Sequence, residues 1–76
     1  MENNLKNLRI KLIEEQKELS FRTEKLYAFI YSEYFGTLNK EYQCILMEQY
    51  GYMKNYLRLM NKRIALVNEQ IKNNKK

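Results

Sequence analysis

The chain contains no histidine, no aspartate, no proline and no tryptophan, and among its 76 residues only one cysteine and two glycines. Each absence closes a class of function. Without His or Asp, Cys44 lacks the base and the orienting partner that nucleophilic catalysis uses. A lone Cys in a His-free chain excludes an internal disulfide framework and the usual zinc spacings. No apolar run approaches the roughly 18 residues of a membrane span, and Met1-Glu2-Asn3-Asn4 does not read as a secretory leader. Glu14, Glu15 and Glu18 read as a solvated helix face, because no His stands near them to complete a metal site. The expectation is a cytoplasmic protein that is not an enzyme and needs no cofactor. Below roughly 70–80 residues a lone core seldom supplies more than about 3–5 kcal/mol. With disulfide and metal both excluded, self-association is the remaining staple.

What is present is helical. Leu, Lys, Glu, Gln, Met and Arg fill most positions. The strongest break is Phe35-Gly36-Thr37-Leu38-Asn39, where Gly36 suits the left-handed position past a helix end and Asn39 suits an N-cap followed by Glu41. This predicts one domain over residues 1–76: a helix over about 3–34, a loop over about 35–39, a helix over about 40–72 and a frayed basic tail over 73–76. Long helices on a short loop lie antiparallel, so the fold class is an all-α two-helix hairpin. Gly51, inside the second helix, reads either as a site of close approach or as a tolerated surface glycine.

The first helix repeats leucine every seven residues at Leu5, Leu12, Leu19 and Leu26, with Leu8, Glu15, Arg22 and Phe29 three residues on. Toward the loop the apolar face widens to include Tyr27, Ile30, Tyr31, Tyr34 and Phe35. The second helix carries Leu46, Tyr50, Met53, Leu57, Met60, Ile64, Val67 and Ile71, in alternating steps of four and three. Beside this seam run a second apolar row, Ile45, Tyr52, Leu59 and Leu66, and a mixed row, Gln49, Tyr56, Arg63 and Gln70. Such a width exceeds what one antiparallel neighbour covers, which predicts a homo-oligomeric bundle, dimer or higher. Glu15 and Arg22 have three readings: a buried ion pair fixing register, the polar lining of a cavity, or a solvated pair if the first helix is turned by one position.

The net charge of +5 lies wholly in the second half. Residues 1–36 balance six basic against six acidic side chains, whereas residues 37–76 carry eight basic and three acidic. Lys72, Lys75 and Lys76 suit a helix C-terminus. Lys54, Arg58, Lys62 and Arg63 stand near Tyr50, Tyr52 and Tyr56. This set reads either as a solvated surface with interface tyrosines or as an anion site with aromatic walls. In the second reading Arg forks grip phosphate and tyrosine rings stack on bases. Extended nucleic acid is the weaker match, because there is no contiguous basic region and no helix-turn-helix spacing.

Taken in order, Glu15, Leu19, Arg22, Lys25-Leu26, Phe29-Ile30, Phe35 and Leu38 are followed by Leu46, Gln49, Met53, Tyr56, Leu59 and Arg63-Ile64. This pattern resembles a family of small phage proteins related to one from a crAss-like phage. There an "E…EL…KL..FI" helix precedes a short loop and an "LL..Q...M..Y...L..RI" helix. The likeness covers about residues 12–66 and departs from the family pattern at Phe21-Arg22-Thr23, Cys44-Ile45, Tyr50 and Tyr52. It implies a phage origin, action in an infected bacterial cell and a helical hairpin, and it carries no catalytic residues. The architecture is also similar to phage sponges of the anti-CBASS and anti-Thoeris type, compact hairpins assembled around ligand pockets. The function expected from that resemblance is sequestration of a cyclic dinucleotide or ADP-ribose-type signal between subunits. Arg22, Arg58 and Arg63 would hold phosphates, Tyr50, Tyr52 and Tyr56 would stack, and Gln49 would read a base edge. The alternatives are a module that docks a host protein and a nucleic-acid-associated accessory protein.

Overall fold

The computed structural model describes residues 2–74. Helix α1 runs Glu2–Ile30, a 3-10 turn spans Glu33–Thr37, and helix α2 runs Lys40–Asn73. The two helices lie side by side as a rod of 58 × 14 × 14 Å. Lys75 and Lys76, the end of the expected basic tail, lie outside the described residues.

Helix α1 ends at Ile30, short of the expected boundary near 34. The cause is Ser32, whose Oγ donates to the Phe29 carbonyl at 2.6 Å while its backbone N–H reaches the same oxygen at 3.0 Å. A hydroxyl that occupies a helical carbonyl offers the backbone an alternative to the next helical bond. The chain leaves α1 there and tightens into the 3-10 turn, closed by Thr37 Oγ1 donating to the Tyr34 carbonyl at 2.6 Å. The Phe29 and Phe35 rings meet edge to face at 6.3 Å across this turn. Because the helix has already ended, Gly36 is not needed past its end. No described glycine has a positive φ, and a Cβ on Gly36 would meet nothing within 4 Å. Asn39 does cap α2, with Oδ1 accepting from the Tyr42 N–H at 2.8 Å and Glu41 in the first turn. Gly51 also faces open space, which favours its reading as a tolerated surface residue.

On α2 the four-three seam from Leu46 to Ile71 supplies all the buried positions, and the remaining members of that seam are half-buried. On α1 the leucine row is inward, but its companions lie four residues on, at Arg9, Gln16, Thr23 and Ile30. The companions three residues on, Leu8, Glu15, Arg22 and Phe29, are exposed, so that part of the expectation is corrected. The physical reason is matching across the interface. Arg9 Nη1 donates to Asn68 Oδ1 at 3.2 Å and Gln16 Nε2 donates to Asn61 Oδ1 at 3.1 Å. These bonds stand one heptad apart in opposite directions along the two helices, as an antiparallel register requires. Thr23 is buried and turns its hydroxyl back to the Leu19 carbonyl at 2.7 Å, so it brings no unpaired polar group into the seam. The sealed core is small: Leu12, Val67 and Ile71 cluster toward the open end with Leu5 and Ile64, and Met60 is buried nearer the middle.

Candidate ligand-binding clefts

A two-helix rod has two flanks, and the helical phases assign each candidate side chain to one of them. The first flank joins the α1 row of Glu15 and Arg22 to the α2 rows of Gln49, Tyr56 and Arg63 and of Tyr52. There Glu15, Glu18, Leu19, Arg22, Tyr56 and Met60 line a cleft of about 200 Å³. Ile45, Glu48, Gln49, Tyr52, Met53 and Tyr56 line a groove of about 400 Å³, with Tyr56 common to both. The structure thus brings Arg22, Gln49, Tyr52 and Tyr56 onto one side. Arg63 follows Tyr56 by one heptad on the same row and lines neither hollow.

Arg22 is already engaged on this flank, because its Nη2 sits 2.7 Å from Glu18 Oε1, one helical turn away. The pair is exposed, so the buried ion pair between Glu15 and Arg22 is corrected: both side chains stand at the surface on the rim of the open cleft, and Glu18 rather than Glu15 is the partner of Arg22. Glu15, Glu18 and Glu48 give both hollows a carboxylate lining. A phosphate would meet those negative charges together with an arginine that is already paired.

The second flank holds Tyr50 and Arg58, which the structure separates from the other five. Tyr50 meets Tyr27 with ring centroids 5.6 Å apart and planes tilted by 40°, and Tyr27 meets Tyr31 at 4.7 Å with a tilt of 49°. Lys54 Nζ lies 5.4 Å over the Tyr50 ring, a cation–π contact. Around them, Ser20, Thr23, Glu24, Tyr27, Tyr50 and Lys54 line a cleft of about 310 Å³. It continues into a second hollow of about 510 Å³ that shares Lys54 and adds Arg58, Asn61 and Lys62. Arg58 is steadied by its neighbour, donating to Asn55 Oδ1 through Nε at 3.1 Å and Nη2 at 2.8 Å. That bond uses two of its donors and neutralises no charge. Among the described residues Lys54, Arg58 and Lys62 enter no salt bridge, and Glu24 is the carboxylate lining these hollows.

Tyr27 and Tyr31 are the site residues that sequence reasoning missed, since it placed them only in a widened apolar face. The signal that could have found them is the pairing of Arg9 and Gln16 with Asn68 and Asn61, which turns α1 by one position and sets Tyr27 opposite Tyr50. No described group of three His, Cys, Asp or Glu side chains is arranged to hold a metal ion, and no described helix is long and apolar enough to cross a membrane.

Fold and clefts together define a small helical-hairpin protein whose polar chemistry suits holding a ligand. The family model described as Sequestin matches residues 6–66, and the chain belongs to the Sequestin family. The family's name denotes sequestration, binding rather than turnover. The match contains all of residues 12–66, the stretch that carries the resemblance to phage proteins. No curated protein and no solved structure matches the chain.

Proposed function

We propose that this protein is a phage anti-defence sponge that binds a small nucleotide signal and holds it unchanged. The observation that carries this reading is the second flank: a cluster of three tyrosines runs through Lys54 into Arg58 and Lys62, with no salt bridge on those cations among the described residues. An aromatic platform offers a face to a base, at a small entropic cost because a tyrosine side chain has few rotors. Beside it, Lys54, Arg58 and Lys62 recur every four residues, so their charges line one side of α2 at about 6 Å intervals. From Tyr50 to Lys62 this strip measures about 18 Å at 1.5 Å per residue, a length suited to a nucleotide carrying more than one phosphate. Ser20 at the cleft adds a hydroxyl for a ribose or base edge. The ligand class, a cyclic dinucleotide or an ADP-ribose derivative, and the phage setting rest on the resemblance and on the sense of the family name. In this reading Tyr50 and Arg58 keep the roles expected of them, joined by Tyr27, Lys54 and Lys62. Arg22, Gln49, Tyr52, Tyr56 and Arg63 belong to the other flank.

Calorimetry of the full chain against a panel of such nucleotides tests the proposal. The expected result is a dissociation constant below about 10 µM, roughly −7 kcal/mol, with the ligand recovered intact by mass spectrometry. Tyr27→Ala and Arg58→Ala should each weaken binding about tenfold or more. Absence of measurable heat with every nucleotide, or recovery of a cleaved product, would overturn it.

A further inference from the structure

We infer that a second copy of this chain covers the first flank, packing α2 against α2 in antiparallel fashion along Ile45, Tyr52, Leu59 and Leu66. This stands independently of the nucleotide reading, because the row lies on the flank away from Tyr50 and Lys54.

The row is a complete second seam. Ile45, Gln49, Tyr52, Tyr56, Leu59, Arg63, Leu66 and Gln70 follow one another in alternating steps of four and three, as do the residues that grip α1. In the hairpin nothing covers it: Tyr52 is 69%, Leu66 63%, Ile45 54%, Tyr56 49% and Leu59 44% exposed. Taking roughly 200 Å² as the scale of a large side chain, these residues leave on the order of 500 Å² of apolar surface open per copy. Leu8 and Phe29, exposed on the α1 row of the same flank, extend the patch toward both ends. That area stands at the upper end of the largest patch on an ordinary monomer, roughly 300–600 Å². Two such faces with their polar margins reach the roughly 1,200–2,000 Å² of a stable interface.

The whole-molecule surface points the same way. The chain exposes 6339 Å² at 9.4 kDa. A compact monomer of that mass would expose about 5,000 Å² by the usual scaling. The excess of about 1,300 Å² is that of a rod whose described buried core is four apolar side chains.

Charge selects both the occupant and the direction. Glu48 flanks the first half of the row and Arg63 lies in its second half, while Glu41 and Glu69 stand toward its two ends. An antiparallel second copy centred between Tyr52 and Leu59 sets Glu48 of each helix beside Arg63 of the other, whereas a parallel copy sets like against like. One patch that complements itself in this way is what a two-fold interface requires. The axis passes near Tyr56, close to the middle of the row.

Sedimentation of the full-length wild-type chain at about 50 µM, without added nucleotide, should give twice the monomer mass or a multiple of it. Leu59→Glu should raise the dissociation constant about a hundredfold or more, since it buries an unpaired charge. Because that variant could unfold, cysteine cross-linking in a Cys44→Ser background provides the second reading. Ile45→Cys and Leu66→Cys proteins should form disulfide dimers when mixed and oxidised, and neither should do so alone. A folded wild-type monomer at that concentration would overturn the inference. So would a dimer in which each single-cysteine protein links to itself, or in which no pair links at all.

Discussion

Met60 provides the sharpest test of how the two helices are phased. It is 1% exposed, whereas its neighbour Leu59 is 44% exposed on the other side of the same turn. Met60→Ala removes Cγ, Sδ and Cε from the seam. At about 0.8 kcal/mol per buried methylene-sized group, the lost transfer energy is about 2 kcal/mol. A cavity contribution adds to this at roughly 24 cal/mol per Å³ left unfilled. Met60 borders the cleft shared with Tyr56, so the site can relax in part, and the sum comes to about 3 kcal/mol. That loss is comparable to everything a lone core of this size supplies, about 3–5 kcal/mol. The expected outcome is that Met60→Ala is largely unfolded at high dilution and regains helicity as concentration rises and association adds its share. Leu59→Ala should cost less than about 1 kcal/mol at the same dilution. Urea unfolding followed by far-UV circular dichroism, repeated over a hundredfold range of protein concentration, measures both. If Met60→Ala cost less than about 1 kcal/mol, or no more than Leu59→Ala at high dilution, the seam would be wrongly phased.

Further outcomes follow from single contacts. Asn39→Ala should destabilise by about 1 kcal/mol in thermal melts, since it strips the Oδ1 acceptor from the Tyr42 N–H. Gly51→Ala should raise stability by about 0.5–1 kcal/mol, because the added methyl meets nothing within 4 Å and a helical glycine is intrinsically unfavourable. Arg22→Ala should change stability by less than about 1 kcal/mol, as its ion pair with Glu18 is solvent-exposed. Thr23→Asp, one residue along, should abolish cooperative unfolding by placing a carboxylate in the seam. Affinity for a phosphorylated ligand should fall with added salt in the wild type and depend on salt less steeply in Arg58→Ala, as titrations at several ionic strengths would report.

Much of the fold could be read from the chain because α2 is over-specified. Its seam alternates four and three from Leu46 to Ile71 without interruption, and Asn39 marks its start. Helix α1 was harder, because both candidate rows beside its leucines mix polar with apolar residues. Leu8 and Phe29 made the row three residues on look inward, while Arg9 and Gln16 disguised the true one. A polar residue at a seam becomes intelligible only when its partner is known, and Asn68 and Asn61 lie 59 and 45 residues away in sequence. The same ambiguity scattered the candidate site, since turning α1 by one position moves Arg22 outward and carries Tyr27 to Tyr50. The early end of α1 was hidden for another reason: it depends on one hydroxyl, Ser32 Oγ, choosing a backbone carbonyl over water.

Composition determined the most general features. With no Pro, two Gly and an abundance of Leu, Lys, Glu, Gln, Met and Arg the chain favours helix throughout, and with one Cys it holds no internal disulfide, because backbone propensity and side-chain chemistry are local properties. The placing of charge in the second half was equally local. What only the tertiary structure decided was which of these groups meet. It set Tyr27 and Tyr31 beside Tyr50 and Lys54, and Arg22 with Tyr56 on the far side. The physical reason is that an antiparallel register is a long-range choice, settled by how polar interruptions in one helix find partners in the other.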